Sequence, residues 1–307
     1  MNNILLVPFE LGRIKEKADE VPTGIKMTEA PKMWGRGEKG QEVVIAVLDT
    51  GCQIDHPDLV DRIIGGRNFT SDYGGDPENF LDNQYHGTHI AGIIAANING
   101  KGIVGMAPEA KLLILKVLSE NGSGKYIDLI EAIHFTVNWR GENNERVRII
   151  TLSVSGKNDD PLLHDAIKQA VKNEILVVCA AGNSGDGNLN TDEVMYPGCY
   201  QEVVEVGAVD INKEIASFSN TNNEIDIFAP GVNILSTFPM YQYAFFSGTS
   251  MAAPHVAGAA ALIIHECEQK IGRTMTEAEI YNELLRRTTE LDYHKQGRSF
   301  RFLSSGV

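Results

Sequence analysis

The stretch that decides the fold is GTSMAAPHVAG, at positions 248–258. A turn at Gly248 leads into a helix predicted over residues 250–266, and its small side chains make this helix thin enough to lie deep inside a fold. The hydroxyl of Ser250 stands at the helix N-terminus, where free N–H groups and the positive end of the helix dipole favour an anion. Serine is also a common N-cap residue, so this stretch alone leaves a reactive and a structural Ser250 open.

Strands and helices alternate in the chain before this helix. The continuous apolar run at residues 42–48 is typical of a strand buried on both faces. Further strands are predicted at residues 111–118, 147–154, 175–181, 203–209, 225–228 and 233–237, and helices at residues 87–97, 127–140, 161–173 and 276–289. This alternation predicts a three-layer α/β/α fold with a central, mostly parallel, doubly wound sheet.

Composition narrows the class of protein. The chain has 307 residues, 43% of them hydrophobic, and a net charge of −14. Such a surface repels nucleic acid and anionic lipid, and no apolar run is long enough to cross a bilayer, so we expect neither nucleic acid nor a membrane as a partner. We see no secretory signal. The four cysteines have no paired spacing and predict free thiols in a reducing cytoplasm.

The first 20 residues differ from the body of the chain. Residues 5–9 are apolar, and Pro8 keeps Val7 in an extended conformation; a charged stretch follows at residues 13–20. This segment is either a disordered terminus or a segment that docks on the body. Residues 22–40 are predicted to be irregular, and residues 295–307 to lie on the surface.

Polar residues follow three of the predicted strands. Asp49 ends the first, Ser153 and Ser155 end the strand at residues 147–154, and Asn183 follows the strand at residues 175–181. Ligand sites of open α/β sheets lie beyond the carboxyl ends of their strands. An aspartate at a strand end also caps turns, so Asp49 alone indicates little.

Two histidines, His86 and His89, begin a predicted helix. They lack the spacing of a zinc-binding pair, and a histidine in a core is the other alternative. A nucleophilic hydroxyl needs a base, a carboxylate to orient the base, and a donor for the oxyanion. His86, the more accessible imidazole, can serve as the base with Ser250, Asp49 and Asn183, although sequence alone does not decide between the two histidines.

Four segments together carry a family resemblance: DTG at residues 49–51, HGTHIAG at 86–92, AGN at 181–183 and GTSMAAP at 248–254. They resemble the signature blocks of the subtilisin-type serine proteases, or subtilases, over residues 18–290. The resemblance implies that Ser250 is the nucleophile, His86 the base and Asp49 its orienting carboxylate. It also implies an oxyanion hole formed by the Asn183 side chain and the Ser250 N–H, with core roles for His89 and His255.

The resemblance further implies that a substrate peptide binds as an added strand. The residues expected to flank it are Gly122, Ser123, Gly124, Ser153, Val154, Ser155 and Gly156. Ser155 stands where the family commonly has glycine, and Met195 matches the base of the S1 pocket. A methionine there shortens the pocket, so we expect medium-sized apolar P1 residues.

Members of this family are similar in binding Ca²⁺, which takes oxygen ligands. The resemblance assigns the ligands to the side chains of Asp19, Asp58 and Asn99 and the carbonyls of Asn97, Lys101 and Ile103. An ordinary polar loop at residues 97–103 is the alternative. A weaker second cation site is expected from Gly198, Tyr200, Glu224 and Asp226.

The segment Leu6-Val7-Pro8-Phe9 resembles a motif of the bacterial intracellular subtilisins. That branch implies a short inhibitory extension across the cleft, cleavage near residues 17–20, a homodimer and Ca²⁺ dependence. Pro8 has no N–H and a fixed φ, and therefore fits poorly at a scissile bond. The expected organisation is an inhibitory extension at residues 1–20, a catalytic domain at 21–290 and a C-terminal tail at 291–307.

Two other functions compete with this interpretation. A non-catalytic peptide-binding protein on the same fold would show the same sheet and cleft. An esterase or lipase would carry G-x-S-x-G and the order Ser, Asp, His. Here Ala252 stands where the second glycine would be, and the order along the chain is Asp, His, Ser.

Overall fold

The computed structural model describes residues 3–295, 298–304 and 306. Its strands are β1 (Asn3–Leu6), β2 (Glu10–Lys15), β3 (Asp19–Glu20), β4 (Val44–Asp49), β5 (Ile63–Asn68), β6 (Gly102–Ile103), β7 (Lys111–Lys116), β8 (Ser123–Lys125), β9 (Val147–Leu152), β10 (Val154–Ser155), β11 (Leu176–Ala180), β12 (Val203–Val209), β13 (Ile227–Pro230), β14 (Ile234–Phe238), β15 (Gln242–Ser247), β16 (Thr288–Lys295) and β17 (Arg298–Leu303). Its helices are α1 (Thr23–Met27), α2 (Ala30–Trp34), α3 (His86–Ala95), α4 (Tyr126–Asn138), α5 (Pro161–Lys172), α6 (Thr249–Ile271) and α7 (Glu277–Arg286).

A nine-stranded sheet forms the centre of the molecule, in the order β16-β17-β13-β12-β11-β9-β4-β7-β5. Its strand pairs are parallel except for the antiparallel β16–β17 pair at one edge. From β4 the chain crosses to the edge strand β5, returns to β7, and then passes β4 to continue through β9 to β13. The connections leave β4 and β9 in opposite directions, so the switch point lies between these two strands. Their carboxyl ends are where such sheets place a site. The predicted three-layer fold class is confirmed.

Helices cover both faces of this sheet. One apolar layer packs α3, α6 and α7 against it, and the other packs α4 and α5. The small-residue helix α6 is buried along its first four turns, and a Cβ added at Gly258 would lie 2.4 Å from the Met106 Cβ. The thin helix predicted from the opening stretch is therefore a requirement of the close packing.

The N-terminal part of the chain contains more structure than the sequence predicts. Residues 22–40, expected to be irregular, form the two five-residue helices α1 and α2. The charged stretch contributes β2, and the strand β15 was not predicted at all. A five-residue helix is too short for a hydrophobic period to appear, and β2 has no buried face to produce one.

The predicted surface tail needs correction. Within it, β17 joins the central sheet beside β13, with Phe228 opposite Phe302. Phe300 and Phe302 alternate along β17 and both are buried, as expected for one face of a strand. The proposed boundary at residue 290 falls inside β16, so these residues belong to the same sheet as the body. Residues 1 and 2 of the extension, and 296, 297, 305 and 307 of the tail, lie outside the described residues.

The cysteines and the helices bear on two further expectations, free thiols and the lack of a membrane span. The four cysteines are free thiols in the structure, and two of them, Cys52 and Cys179, are buried. Within the described residues, every helix is too short or too polar to serve as a membrane span.

A capping box begins α7. The Thr276 hydroxyl accepts from the Glu279 N–H, and the Glu279 carboxylate accepts from the Thr276 N–H. The next residue, Glu277, is partly buried beside Glu174. Burial and the Glu174 charge together raise the pKa of Glu277 to about 7. A carboxyl whose pKa is raised on folding stabilises the fold at low pH and loses this contribution as the pH rises to about 7.

We therefore predict that Glu277→Gln stabilises the protein at pH 8 by about 1 kcal/mol, and changes stability little at pH 4.5, where Glu277 is protonated in the fold. Urea unfolding at the two pH values, in a Ser250→Ala background that prevents self-digestion, measures this difference. Glu131→Gln on the exposed face of α4 is the control. An equal effect of Glu277→Gln at both pH values would contradict the prediction.

Candidate active site

Asp49 and His86 form the first contact of the site. Asp49 is the last residue of β4 and His86 the first of α3. Asp49 Oδ1 lies 2.8 Å from His86 Nδ1, and both side chains are buried. The other ring nitrogen, Nε2, has no hydrogen-bond partner among the described residues. An imidazole held this way has one nitrogen left to accept a proton.

The carboxylate of Asp82, which the sequence analysis missed, fixes the start of α3. Its oxygens accept hydrogen bonds from the backbone N–H groups of Gln84, Tyr85 and Thr88, over 2.8–3.0 Å. The Thr88 hydroxyl donates to it as well, over 2.6 Å. Burial raises the pKa of Asp82, an effect that these donors oppose. An aspartate shortly before a helix is the local signal that could have indicated this role.

Asp82 also reaches the turn that follows β4. It accepts a hydrogen bond from the hydroxyl of Thr50, the residue after Asp49, over 2.9 Å. The same hydroxyl oxygen accepts from the Gly87 N–H over 2.9 Å. A Cβ at Gly87 would lie 2.1 Å from the Gly51 carbonyl oxygen, so only glycine permits this approach. Asp82 and Thr50 thus join the segments that carry Asp49 and His86.

Ser250 and Asn183 lie on the same side of the sheet. Ser250 is in the first turn of α6, and Asn183 is in the turn after β11. The Thr249 N–H donates to Asn183 Oδ1 over 2.9 Å, which fixes the amide of Asn183. Ser250 is buried, and its Oγ has no hydrogen-bond partner among the described residues. Nucleophile and base are commonly further apart before a substrate is bound.

The N-terminal segment lies in the cleft beside these groups. β1 is the middle, antiparallel strand between β8 and β10. The Leu6 N–H donates to the Gly122 carbonyl over 2.8 Å, and the Val7 N–H to the Ser153 carbonyl over 3.1 Å. The segment was expected to be either a disordered terminus or a segment that docks on the body, and in the structure it is docked.

The next two residues of the segment meet the polar groups. Asn183 Nδ2 donates a hydrogen bond to the Pro8 carbonyl. The ring centre of Phe9 lies 4.8 Å from that of His86 and 4.8 Å from that of Phe246. Pro8 and Phe9 therefore lie in front of the imidazole and the amide.

Six of the eight residues expected to flank a peptide lie beside this segment, on β8 and β10 and at the Gly122 and Ser153 carbonyls. The other two are Gly156 and Met195. Gly156 exchanges two backbone hydrogen bonds with Tyr196, over 2.7 and 2.9 Å. Met195 lies close to the Asn183 turn, since a Cβ at Gly182 would be 3.3 Å from Met195 Cγ. The eight residues in question are Gly122, Ser123, Gly124, Ser153, Val154, Ser155, Gly156 and Met195.

The remaining two histidines of this region lie in the core. His89 Nε2 is 3.1 Å from the carbonyls of both Ile234 and Ala244, and its ring stacks on Phe246 at 4.0 Å. Burial lowers the pKa of His89 to about 3 and that of His255 to about 4. Both imidazoles are therefore neutral at pH 7, and the structure places only His86 against Asp49.

The first predicted cation site centres on the Asp58 carboxylate, which is 1% exposed. Its Oδ1 accepts from Asn99 Nδ2 over 3.1 Å, and its Oδ2 accepts from the Ile103 N–H and the Tyr243 hydroxyl, each over 3.0 Å. These donors are all neutral. A buried carboxylate surrounded by neutral donors fits a cation.

The other predicted ligands of this site lie in the same loop or beside it. The Asn97 N–H donates to the Asp58 carbonyl over 2.9 Å, and the Lys101 N–H to Asn99 Oδ1 over 3.1 Å. Asp19, in β3, pairs with Gly102 in β6. The described residues contain no cluster of three or more histidine, cysteine or acidic side chains suited to a metal. A cation here would therefore depend mainly on carbonyl and amide oxygens, as Ca²⁺ does.

The second predicted cation site is less complete. Its four residues are Gly198, Tyr200, Glu224 and Asp226. The Asp226 carboxylate accepts hydrogen bonds from the Glu205 N–H and the Tyr281 hydroxyl, and the Tyr200 carbonyl accepts from the Val203 N–H. Burial, with smaller contributions from acidic neighbours that include Glu224, raises the pKa of Cys199 to about 12.

Comparison with known proteins agrees with this geometry. The model of the Subtilase family matches residues 40–302. The chain is 51% identical to the Intracellular serine protease of Paenibacillus polymyxa, over 93% of this chain and 86% of that protein. It is 49% identical to the Major intracellular serine protease of Bacillus subtilis (strain 168), over 98% and 94% of the two chains. It is 40% identical to Subtilisin DY of Bacillus licheniformis, over 89% and 93%. The chain belongs to the subtilase family of serine proteases.

Proposed function

We propose that this protease is a cytoplasmic endopeptidase that its own N-terminal extension keeps inactive. The observation that carries the proposal is the Asp49–His86 hydrogen bond, which leaves His86 Nε2 without a partner in the cleft where Asn183 binds a peptide carbonyl. Free thiols, the acidic surface and the names of two relatives support the cytoplasmic location. The homodimer implied by the resemblance stays a prediction.

The proposed reaction proceeds through an acyl-enzyme. Ser250 Oγ attacks the scissile carbonyl while His86 Nε2 takes the hydroxyl proton, and Asp49 stabilises the resulting imidazolium. The carbonyl oxygen becomes an anion that accepts hydrogen bonds from Asn183 Nδ2 and the Ser250 N–H. The imidazolium then gives its proton to the leaving amine as the C–N bond breaks. Water, activated by His86, releases the acyl group and restores Ser250.

Replacing Ser250 by alanine removes the nucleophile, and we expect casein hydrolysis to fall by about 10³-fold or more. A fluorophosphonate probe should label the wild-type protein, and the label should disappear in Ser250→Ala. The matched control is Ser247→Ala, three residues earlier on β15, which should keep the label. A wild-type protein that binds peptides yet neither reacts with the probe nor cleaves casein would be the non-catalytic binding protein.

We infer inhibition from the register of the extension. The N–H and C=O groups of one residue in a strand point to the same side. A regular substrate whose N–H binds the Ser153 carbonyl would therefore present its own carbonyl to Asn183. In the extension the N–H belongs to Val7 and the carbonyl to Pro8. This one-residue displacement, together with the fixed φ of Pro8, keeps a bond of the extension out of attack geometry.

The proposed P1 preference rests on Met195, which lies beside the Asn183 turn. A methionine at the base of the pocket shortens it, so a medium-sized apolar side chain fits there better than a large aromatic one.

Deleting residues 1–18 should raise kcat/KM for a casein-derived peptide by about tenfold or more, because a tethered segment competes at an effective millimolar concentration. Leu5→Ser is the control, since this side chain is 54% exposed on β1 and its replacement should leave the full chain inhibited. Equal activity of the full and the truncated chain would disprove the inhibitory role.

The proposed cofactor is Ca²⁺, held by Asp58, Asn99, Asp19 and the carbonyls of Asn97, Lys101 and Ile103. Ca²⁺ would neutralise the buried carboxylate and tie the loop at residues 97–103 to β3. No step of the proposed reaction passes through this site.

Ca²⁺ at 1 mM should raise the Tm of the Ser250→Ala protein by several degrees, because a ligand that binds only the folded state stabilises it. Excess EDTA should reverse the shift. Asp58→Asn should abolish the response, whereas the nearby exposed Asp61→Asn should retain it. A Ca²⁺-dependent rise in Tm that persists in Asp58→Asn would show that Ca²⁺ binds at another site.

A further inference from the structure

The second half of the extension lies on a strand edge beyond the active site. β2 pairs antiparallel with β15, whose opposite edge is taken by β14. The pairing runs from Glu10 opposite Ser247 to Lys15 opposite Tyr243. When residues 10–15 leave, the backbone groups of β15 on this edge are open to another strand. The edge begins three residues before Ser250 and leads away from it.

The pairing of β2 with β15 contains one irregularity. The register shifts between Ala244 and Phe246, and two residues of β2, Gly12 and Arg13, lie opposite the single residue Phe245. β2 is therefore the bulged strand. A Cβ at Gly12 would lie 3.0 Å from the Phe245 carbonyl oxygen, so the extension forms its bulge with a residue that lacks a side chain. A strand without a bulge would reach Phe245 one residue earlier.

The ring of Phe245 faces two cations of the extension. The Arg13 guanidinium lies 5.5 Å from the ring centre and the Lys15 ammonium 5.9 Å. Both lie within the distance at which a cation is attracted to an aromatic face. Arg13 and Lys15 are two residues apart on β2 and therefore share one face of the strand. They are the fifth and seventh residues after Pro8, whose carbonyl Asn183 holds.

We propose that β15 is a docking strand for the primed side of protein substrates, and that Phe245 is a subsite selective for lysine or arginine there. In the structure the extension occupies this surface. After the extension leaves, a substrate segment binds β15 by the same kind of backbone pairing. The extension reaches the ring with the fifth and seventh residues after Pro8 because of its bulge, whereas a substrate strand without a bulge places there the fourth and sixth residues after the one whose carbonyl meets Asn183. The net charge of −14 draws basic segments toward the enzyme, and the ring fixes their position.

This inference rests on the proposed function, and its first test does not depend on peptidase activity. Hydrogen exchange at residues 10–15 is measured in the full-length Ser250→Ala protein, in Phe245→Leu, in Arg13→Gln/Lys15→Gln and in their combination. We expect Phe245→Leu to speed exchange about two- to fivefold when both cations are present, and to have little effect without them. An equal effect of Phe245→Leu in both backgrounds would overturn the cation-selective role.

The second test uses the enzyme that the full chain yields on processing. Quenched peptides share one sequence up to the third primed residue and then carry two lysines, either at the fifth and seventh positions or at the fourth and sixth. The kcat/KM of each is divided by that of a short peptide ending at the third position. Because these peptides pair as unbulged strands, we expect the fourth-and-sixth peptide to be favoured about two- to fivefold over its equally charged counterpart.

Variants distinguish the effect of the Phe245 ring from the effect of the protein's net negative charge. Phe245→Leu should remove the preference, and Tyr241→Leu, an exposed aromatic residue on the turn before β15, should keep it. Equal ratios for the two lysine placements in the wild-type enzyme would refute the proposal. Failure to cleave even the short peptide would instead refute the proposed function, and the exchange result would still decide whether Phe245 selects cations.

Discussion

The close approach of two backbones, the turn after β4 and the first turn of α3, is the constraint on which the site depends. The Asp49–His86 hydrogen bond of 2.8 Å exists because these turns are in contact. Gly87 permits the contact, since a Cβ there would lie 2.1 Å from the Gly51 carbonyl. Asp82 holds it by accepting from donors on both turns. The position of the imidazole thus depends on Asp82, Thr50 and Gly87 as well as on Asp49.

The fold and the four central residues were accessible from sequence because both leave local signals. The apolar run at 42–48 gives the central strand, and the glycines around His86 and Ser250 mark the turns that carry them. Asp82 was missed because its link to Asp49 runs through the hydroxyl of Thr50, 32 residues earlier, and this bond forms only when α3 packs against β4. β17 was missed because its phenylalanines stand among arginines and serines, and because its partner, β13, lies about seventy residues earlier in the chain.

The extension engages the body at three places in succession. β1 lies between β8 and β10, β2 lies on β15, and β3 pairs with β6 in the loop that surrounds Asp58. The first two contacts cover the surfaces that we propose for substrate binding, whereas the third joins the segment to the candidate cation site. Backbone pairing serves all three, which explains why a segment of such mixed composition can be held along its whole length.

The direction of β2 has a kinetic consequence. The chain leaves the cleft at Glu10, beside Ser247, and six residues of extended strand carry it roughly 17 Å away by Lys15. A bond near residues 17–20 is therefore well beyond the reach of the Ser250 of the same molecule. The cleavage that we propose there would therefore be bimolecular, with one activated molecule cutting another. Such a population would show a lag that shortens with protein concentration, and a trace of mature enzyme would abolish the lag.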